Sequence, residues 1–155
     1  MWQSEDSYRS SLPSYGSVGA FDIDESGRLS PHAPAAKLGM RFSWRGRPVS
    51  TALRTTDDGS VGVMLLRAQA GRVPSTAIAA AARPDAFDLL RCLPTLLPEH
   101  WTVSLAADHS LQLQTEMRVA MPASASDLLI PAVQFCLAVS PYLDLLEENA
   151  MGMQA

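Results

Sequence analysis

Hydrophobic and polar positions alternate with a period of two through much of the chain. Met40, Phe42 and Trp44 alternate with Arg41, Ser43 and Arg45, the pattern of a strand with one buried face. Arg45-Gly46-Arg47-Pro48 reads as a turn, after which Val49, Thr51, Leu53 and Thr55 alternate again. Asp57-Asp58-Gly59 suits a hairpin turn, because glycine takes the positive φ such turns need. Val61 to Ala70 is more continuously apolar, as expected of a strand covered on both faces or lying at the sheet centre. These segments predict a three-stranded antiparallel meander. Later, Trp101 to Ala106 is strand-like and Asp108-His109-Ser110 is a tight turn. Leu111, Leu113, Thr115, Met117, Val119 and Met121 then alternate with Gln112, Gln114, Glu116, Arg118 and Ala120, the clearest strand in the chain.

Helical spacing occupies the gaps. Ser75 to Ala82 is alanine-rich and predicts a helical turn or more. Pro84-Asp85 reads as a helix start with Asp85 as cap; Phe87, Leu90, Leu93 and Leu97 follow at helical spacing, and Pro94 and Pro98 limit the length. Ser124-Ala125-Ser126-Asp127 resembles a capping box with Asp127 in place of the usual Glu or Gln. From Leu128 an apolar helix follows, which Pro131 and Pro141 should kink or split, with Ser140 capping a new segment. The order three strands, helix, two strands, helix predicts an α+β fold, an antiparallel sheet with helices packed on it. Residues 38–148 are expected to form one domain. Residues 1–37 read as a mobile tail and linker holding one short strand at Phe21–Asp24, with a turn at Ser26-Gly27, and residues 149–155 as a frayed end.

Composition narrows the function classes. The chain has 155 residues, 47% of them apolar and only 18% charged, which fits either a compact monomer or apolar surface hidden against a partner or a second copy. The net charge is −4, Lys37 is the only lysine and the arginines are scattered, so a nucleic-acid partner is not expected. The N-terminus is acidic and polar, unlike a signal peptide, and the longest apolar segment is interrupted by Ser126, Asp127, Pro131, Gln134, Ser140 and Pro141. A cytoplasmic protein without membrane insertion is therefore expected. Cys92 and Cys136 fall in apolar helical patterns and read as two buried thiols, with a disulfide between them the alternative.

Two constellations resemble reactive sites. Asp108, His109 and Ser110 are the residue types of a hydrolase triad, but consecutive side chains in extended backbone do not converge, and a turn is the better reading. Asp22-Ile23-Asp24-Glu25-Ser26-Gly27 imitates the opening of a calcium loop, yet the twelfth position is Ala33 rather than a bidentate carboxylate. His32, His100 and His109 lack metal-ligand spacing, and Gly59, Gly62 and Gly71 do not make a phosphate loop. No catalytic, cofactor-binding or metal-binding residue is assigned, and a binding module is expected rather than an enzyme. Trp44, Trp101, Met117, Met121, Leu128, Phe135, Tyr142 and Leu145 are many large soft side chains for this length; a core absorbs most, and the remainder suits adaptable binding.

The arrangement resembles one family. Met40–Pro74, strand-turn-strand-turn-strand ending in Gly71-Arg72-Val73-Pro74, is similar to the first half of the class I type III secretion chaperones. Val103–Glu148, with the Asp108-His109-Ser110 turn, the long strand ending at Met121-Pro122 and a leucine-rich last helix, is similar to their second half. The chain departs from that family in its first 37 residues, where Pro13, Pro31, Pro34 and several glycines replace the leading amphipathic helix. The YbjN-like family of sensory-transduction regulators, with the same fold, is the alternative. The resemblance implies a homodimer that holds an extended segment of a client protein against apolar patches, without nucleotide or metal. Gln112, Gln114, Glu116 and Arg118 should be wet, while Leu111, Leu113, Met117 and Val119 pack on the last helix. The first meander, left open without a leading helix, is then the expected protein-binding surface, through Phe42, Trp44, Val49 and Leu53.

Overall fold

The alternating segments pair as their pattern demands. A computed structural model of the chain describes residues 16–32, 36–76 and 80–152. Expectations for residues 1–15, 33–35, 77–79 and 153–155 lie outside the described residues. Strands β4 (Lys37–Trp44), β5 (Arg47–Thr55) and β6 (Val61–Arg72) form the expected antiparallel meander. Strand β8 (Ser110–Ala120) pairs with β6, and the short β7 (Thr102–Leu105) pairs with β8, giving the order β4-β5-β6-β8-β7. A second small sheet joins β1 (Gly16–Val18), β2 (Phe21–Ile23), β3 (Arg28–Pro31) and β9 (Ala123–Ser124). Helices α1 (Arg83–Leu96) and α2 (Ala125–Glu148) complete an α+β fold with helices packed on antiparallel sheets.

Register places the buried apolar residues of β5, β6 and β8 on one face. Leu53 lies opposite Met64, Thr51 opposite Leu66, Val49 opposite Ala68, and Ala68 opposite Leu113. All of these are buried, and they share one core with Leu128, Phe135, Val139, Leu143 and Leu146 of α2 and Leu93 of α1. The other face of β6 (Val63, Leu65, Arg67, Gln69) is half-buried, so this strand is continuously apolar because it is central, not because both faces are covered. Phe21, Leu29 and Ala123 of the small sheet also enter the core. The segment read as tail and linker thus supplies three strands where one was expected.

Several local expectations change. Asp85 lies in the first turn of α1 rather than at its cap, which is Ala82 without a side-chain bond; Pro84 takes an early position where its missing N–H has no intrahelical role. Helix α2 is unbroken over 24 residues despite Pro131 and Pro141. Its capping box is present, with Asp127 N–H donating to Ser124 Oγ (3.2 Å) and Ser124 N–H to Asp127 Oδ2 (2.9 Å). Ser140 does not open a new helix; its hydroxyl donates back to the Cys136 carbonyl at 2.8 Å. Cys92 is exposed and Cys136 buried, both as free thiols, because α1 turns Ala86 and Leu93 inward and Cys92 outward. Met151, assigned to the frayed end, is fully buried and its carbonyl accepts from Arg72 N–H at 2.9 Å.

Candidate protein-binding groove

Helix α2 does not cover the whole sheet. It is fastened to the β4–β5 hairpin at three successive points near its C-terminus. Trp44 Nε1 donates to Ser140 Oγ (3.2 Å), Arg45 pairs with Asp144 (2.5 Å), and Arg47 pairs with Glu147 (2.5 Å). Arg47 is 3% exposed, and its Nε also donates to the Ala70 carbonyl at 3.1 Å. Ala70 sits at the bulge where the β6–β8 register shifts, so its carbonyl lacks a ladder position and the guanidinium satisfies it. The Asp144 carboxylate, by hydrogen bonding, raises the pKa of Arg45.

Beyond the hairpin, β4 and the N-terminal half of α2 enclose an apolar groove of about 580 Å³. Met40, Phe42 and Trp44 form one wall, Leu129 and Val133 the other, and Ala132 and Cys136 the floor. Burial pushes the Cys136 thiol pKa up, so the floor carries no charge near neutral pH. From Leu129 and Val133 the apolar stripe continues around the helix to Ile130 and Leu137, which are 54% and 60% exposed. With Phe42 these residues expose apolar surface on the order of 500 Å², the upper end of what a monomer tolerates. Alongside runs the outer edge of β4, an end strand of its sheet and unpaired among the described residues. Alternate residues of this eight-residue strand thus present outward backbone donors and acceptors beside an apolar trough.

The four sequence-assigned binding residues divide. Phe42 and Trp44 line the groove, whereas Val49 and Leu53 are 2% and 3% exposed beneath α2. The meander face expected to be open is therefore closed over β5 and β6 and open only at β4. Sequence reasoning missed Met40 and the α2 wall. The signal was available: Leu129, Val133 and Leu137 recur every four residues on a side of the helix that Leu128, Ala132 and Phe135 do not share. On the far face of the sheet, Gln112 and Gln114 are half-buried and Glu116 and Arg118 exposed, while Leu111, Leu113 and Val119 are buried and Met117 packs against the core.

The tempting polar constellations are turns. Asp108 Oδ1 accepts from both Ser110 N–H (3.0 Å) and Ser110 Oγ (2.6 Å), and His109 takes φ 65° between them. Asp24 accepts from Ser26 N–H, Ser26 Oγ and Arg28 N–H, closing the β2–β3 hairpin. Asp22 faces His32 at 3.3 Å. Among the described residues no group of three or more His, Cys, Asp or Glu is placed to hold a metal ion.

Compared with family models, with curated proteins and with solved structures, the chain matches none.

Proposed function

We propose that this protein is a non-catalytic binding module that holds an extended segment of a client protein, as a secretion chaperone does. The observation carrying the reading is the conjunction of the eight-residue β4, whose outer edge is unpaired among the described residues, with an apolar groove beside it. An apolar groove alone accepts a helix or a strand equally well. The adjoining β4 edge selects a strand, because only extended backbone satisfies its N–H and C=O groups. A strand added there would direct alternate side chains under Leu129 and Val133, while Lys37 and Arg41 on β4 discourage indiscriminate edge pairing. In this reading the chain is a homodimer whose second copy covers Ile130 and Leu137. The YbjN-like regulatory adaptor stands as the alternative and uses the same surface with a different partner.

The test is binding of an extended peptide alternating Val and Thr, measured by fluorescence anisotropy. Trp44→Ala is an ambiguous probe, since Trp44 also anchors Ser140. Val133→Asp is cleaner, because Val133 is 55% exposed and tolerates a charge without core damage. Affinity should fall by about tenfold or more in a variant of unchanged melting temperature. Unchanged affinity would refute the groove. Helix α2 also has the length and composition to cross a bilayer, with a mean hydropathy of 1.6 over an 18-residue window of which 33% is buried. Co-flotation of the protein with neutral phosphatidylcholine vesicles, lost in Val133→Asp, would instead identify the stripe as a membrane-facing surface.

A further inference from the structure

The open face of the larger sheet collects cations that are scattered in sequence. Directly opposed residues share a face, so the registers place Lys37, Arg54, Val63 and Arg118 in one row across β4, β5, β6 and β8. Arg41, Ser50, Arg67 and Gln114 form a second row on the same face. Between them lies a row of Gly39, Ala52, Leu65 and Glu116. Five of the twelve Lys and Arg residues thus stand around one carboxylate, in a protein whose net charge is −4. Among the described residues Glu116 pairs only with Arg54, at 3.7 Å, and Arg67 Nε donates to Gln114 Oε1 at 3.2 Å. Lys37, Arg41 and Arg118 have no carboxylate within 4 Å among the described residues. Lys37 sits directly opposite Arg54, a like-charge pairing that weakens a sheet.

We infer that this face is a second docking surface, built for an acidic polypeptide segment that also carries apolar side chains. Charge complementarity names the acidic component: an anionic segment relieves the Lys37–Arg54 repulsion and supplies the missing counter-charges. Shape and polarity name the rest. The face holds two shallow hollows, of about 510 Å³ beside Val63 and Leu65 and about 360 Å³ beside Arg67 and Gln69. Leu65 lies half-buried between the cationic rows and Val63 half-buried within the first of them, where both meet a partner's apolar side chains. The glutamine amides offer donors and acceptors to a peptide backbone. A nucleic acid fits less well, since none of the strand positions in the three rows is aromatic and the rest of the molecule repels a long polyanion. The surface lies on the sheet face opposite the core and meets the groove at Arg41 and Phe42, on the β4 edge, and it does not depend on the groove's role.

The experiment uses the full chain and three labelled probes: a peptide alternating Asp and Leu, its Asn and Leu counterpart, and oligothymidylate. The acidic peptide should bind at low salt, more tightly than either control, and weaken roughly tenfold as salt is raised. Combining Arg54→Gln with Arg118→Gln should weaken it about tenfold while leaving the neutral peptide unaffected. Both arginines are exposed, so this variant should keep its melting temperature. Lys37→Glu, which converts the repulsion into an ion pair with Arg54, should hold or raise the melting temperature and weaken the acidic peptide as well. Arg91→Gln, on α1 away from this face, should change nothing. The inference is overturned by no binding at low salt, by equal binding of the neutral peptide, by indifference to the double variant, or by oligothymidylate binding more tightly than the acidic peptide.

Discussion

Arg47 anchors the C-terminal end of α2 to the β4–β5 hairpin, and replacing it with Met measures how strongly. The guanidinium is 3% exposed and donates to the Ala70 carbonyl at the bulge, to the Arg45 carbonyl in the hairpin turn and to Glu147. Methionine keeps most of the apolar stem and loses all three. The buried Ala70 carbonyl is then unsatisfied, which costs about 1–3 kcal/mol. Glu147 is 47% exposed and returns to water, so its half of the ion pair adds only about 1 kcal/mol or less. The loss is therefore about 3 kcal/mol, which for a chain of this size lowers Tm by about 9 °C. Glu147→Gln retains the buried bond and should cost less than about 1 kcal/mol. Urea and thermal unfolding followed by circular dichroism read both values. Equal losses in the two variants, or a loss under about 1 kcal/mol for Arg47→Met, would refute the assignment of the buried carbonyl as the dominant partner.

Gly71→Ala would bring a Cβ into collision with the Met151 carbonyl, and a loss of about 2 kcal/mol or more in urea unfolding is expected; a neutral change would mean that the C-terminus is not docked. Acid should weaken the fold in a defined window. The Thr56 hydroxyl, then the Ser60 backbone and hydroxyl, hold the Asp58 pKa at about 2 against an ordinary 3.8, and Asp24, Asp108 and Asp127 are lowered by comparable serine contacts. Depressed carboxylates stabilise above their unfolded pKa and lose that contribution as pH falls through the folded one, so Tm should decline from about pH 4 to about pH 2 and a flat profile would contradict these turns. A thiol reagent should label Cys92 rapidly and Cys136 slowly; a Cys92→Ser variant that still reacts fast would place Cys136 at the surface. Light scattering should give twice 16.7 kDa and return to the monomer value in Leu137→Glu, and a monomeric parent would remove the second copy from Ile130 and Leu137.

Strand parity and turn chemistry made the larger sheet legible in sequence. Alternation at Met40–Trp44 and Leu111–Met121 fixes which side chains face the core, and Gly59 with Asp58 fixes the hairpin between β5 and β6. The small sheet was obscured because its strands are three or four residues long and gain their burial from β9, distant in sequence. Prolines misled at α2: Pro131 lies in its second turn, and the hairpin clamp holds the helix together around Pro141. The groove was half legible. Phe42 and Trp44 follow from alternation, but the placement of α2 over β5 and β6 rather than β4 depends on Arg45, Arg47 and Trp44 finding Ser140, Asp144 and Glu147, roughly a hundred positions away. The basic face was invisible in linear order because its cations come from four strands and converge only through register.

Hydrogen exchange across β4 tests the strand-addition reading most directly. The full chain is incubated in deuterated buffer with and without the Val–Thr peptide, and peptic fragments covering Lys37–Trp44 are compared with those covering β7, the opposite edge of the same sheet. An added strand closes the outward amides of β4 in new hydrogen bonds, so protection should rise in that fragment and in the Leu129–Leu137 stretch of α2, with β7 unchanged. Val133→Asp should abolish the difference. Saturating peptide that leaves β4 exchange unaltered, or protects β7 instead, would contradict the reading.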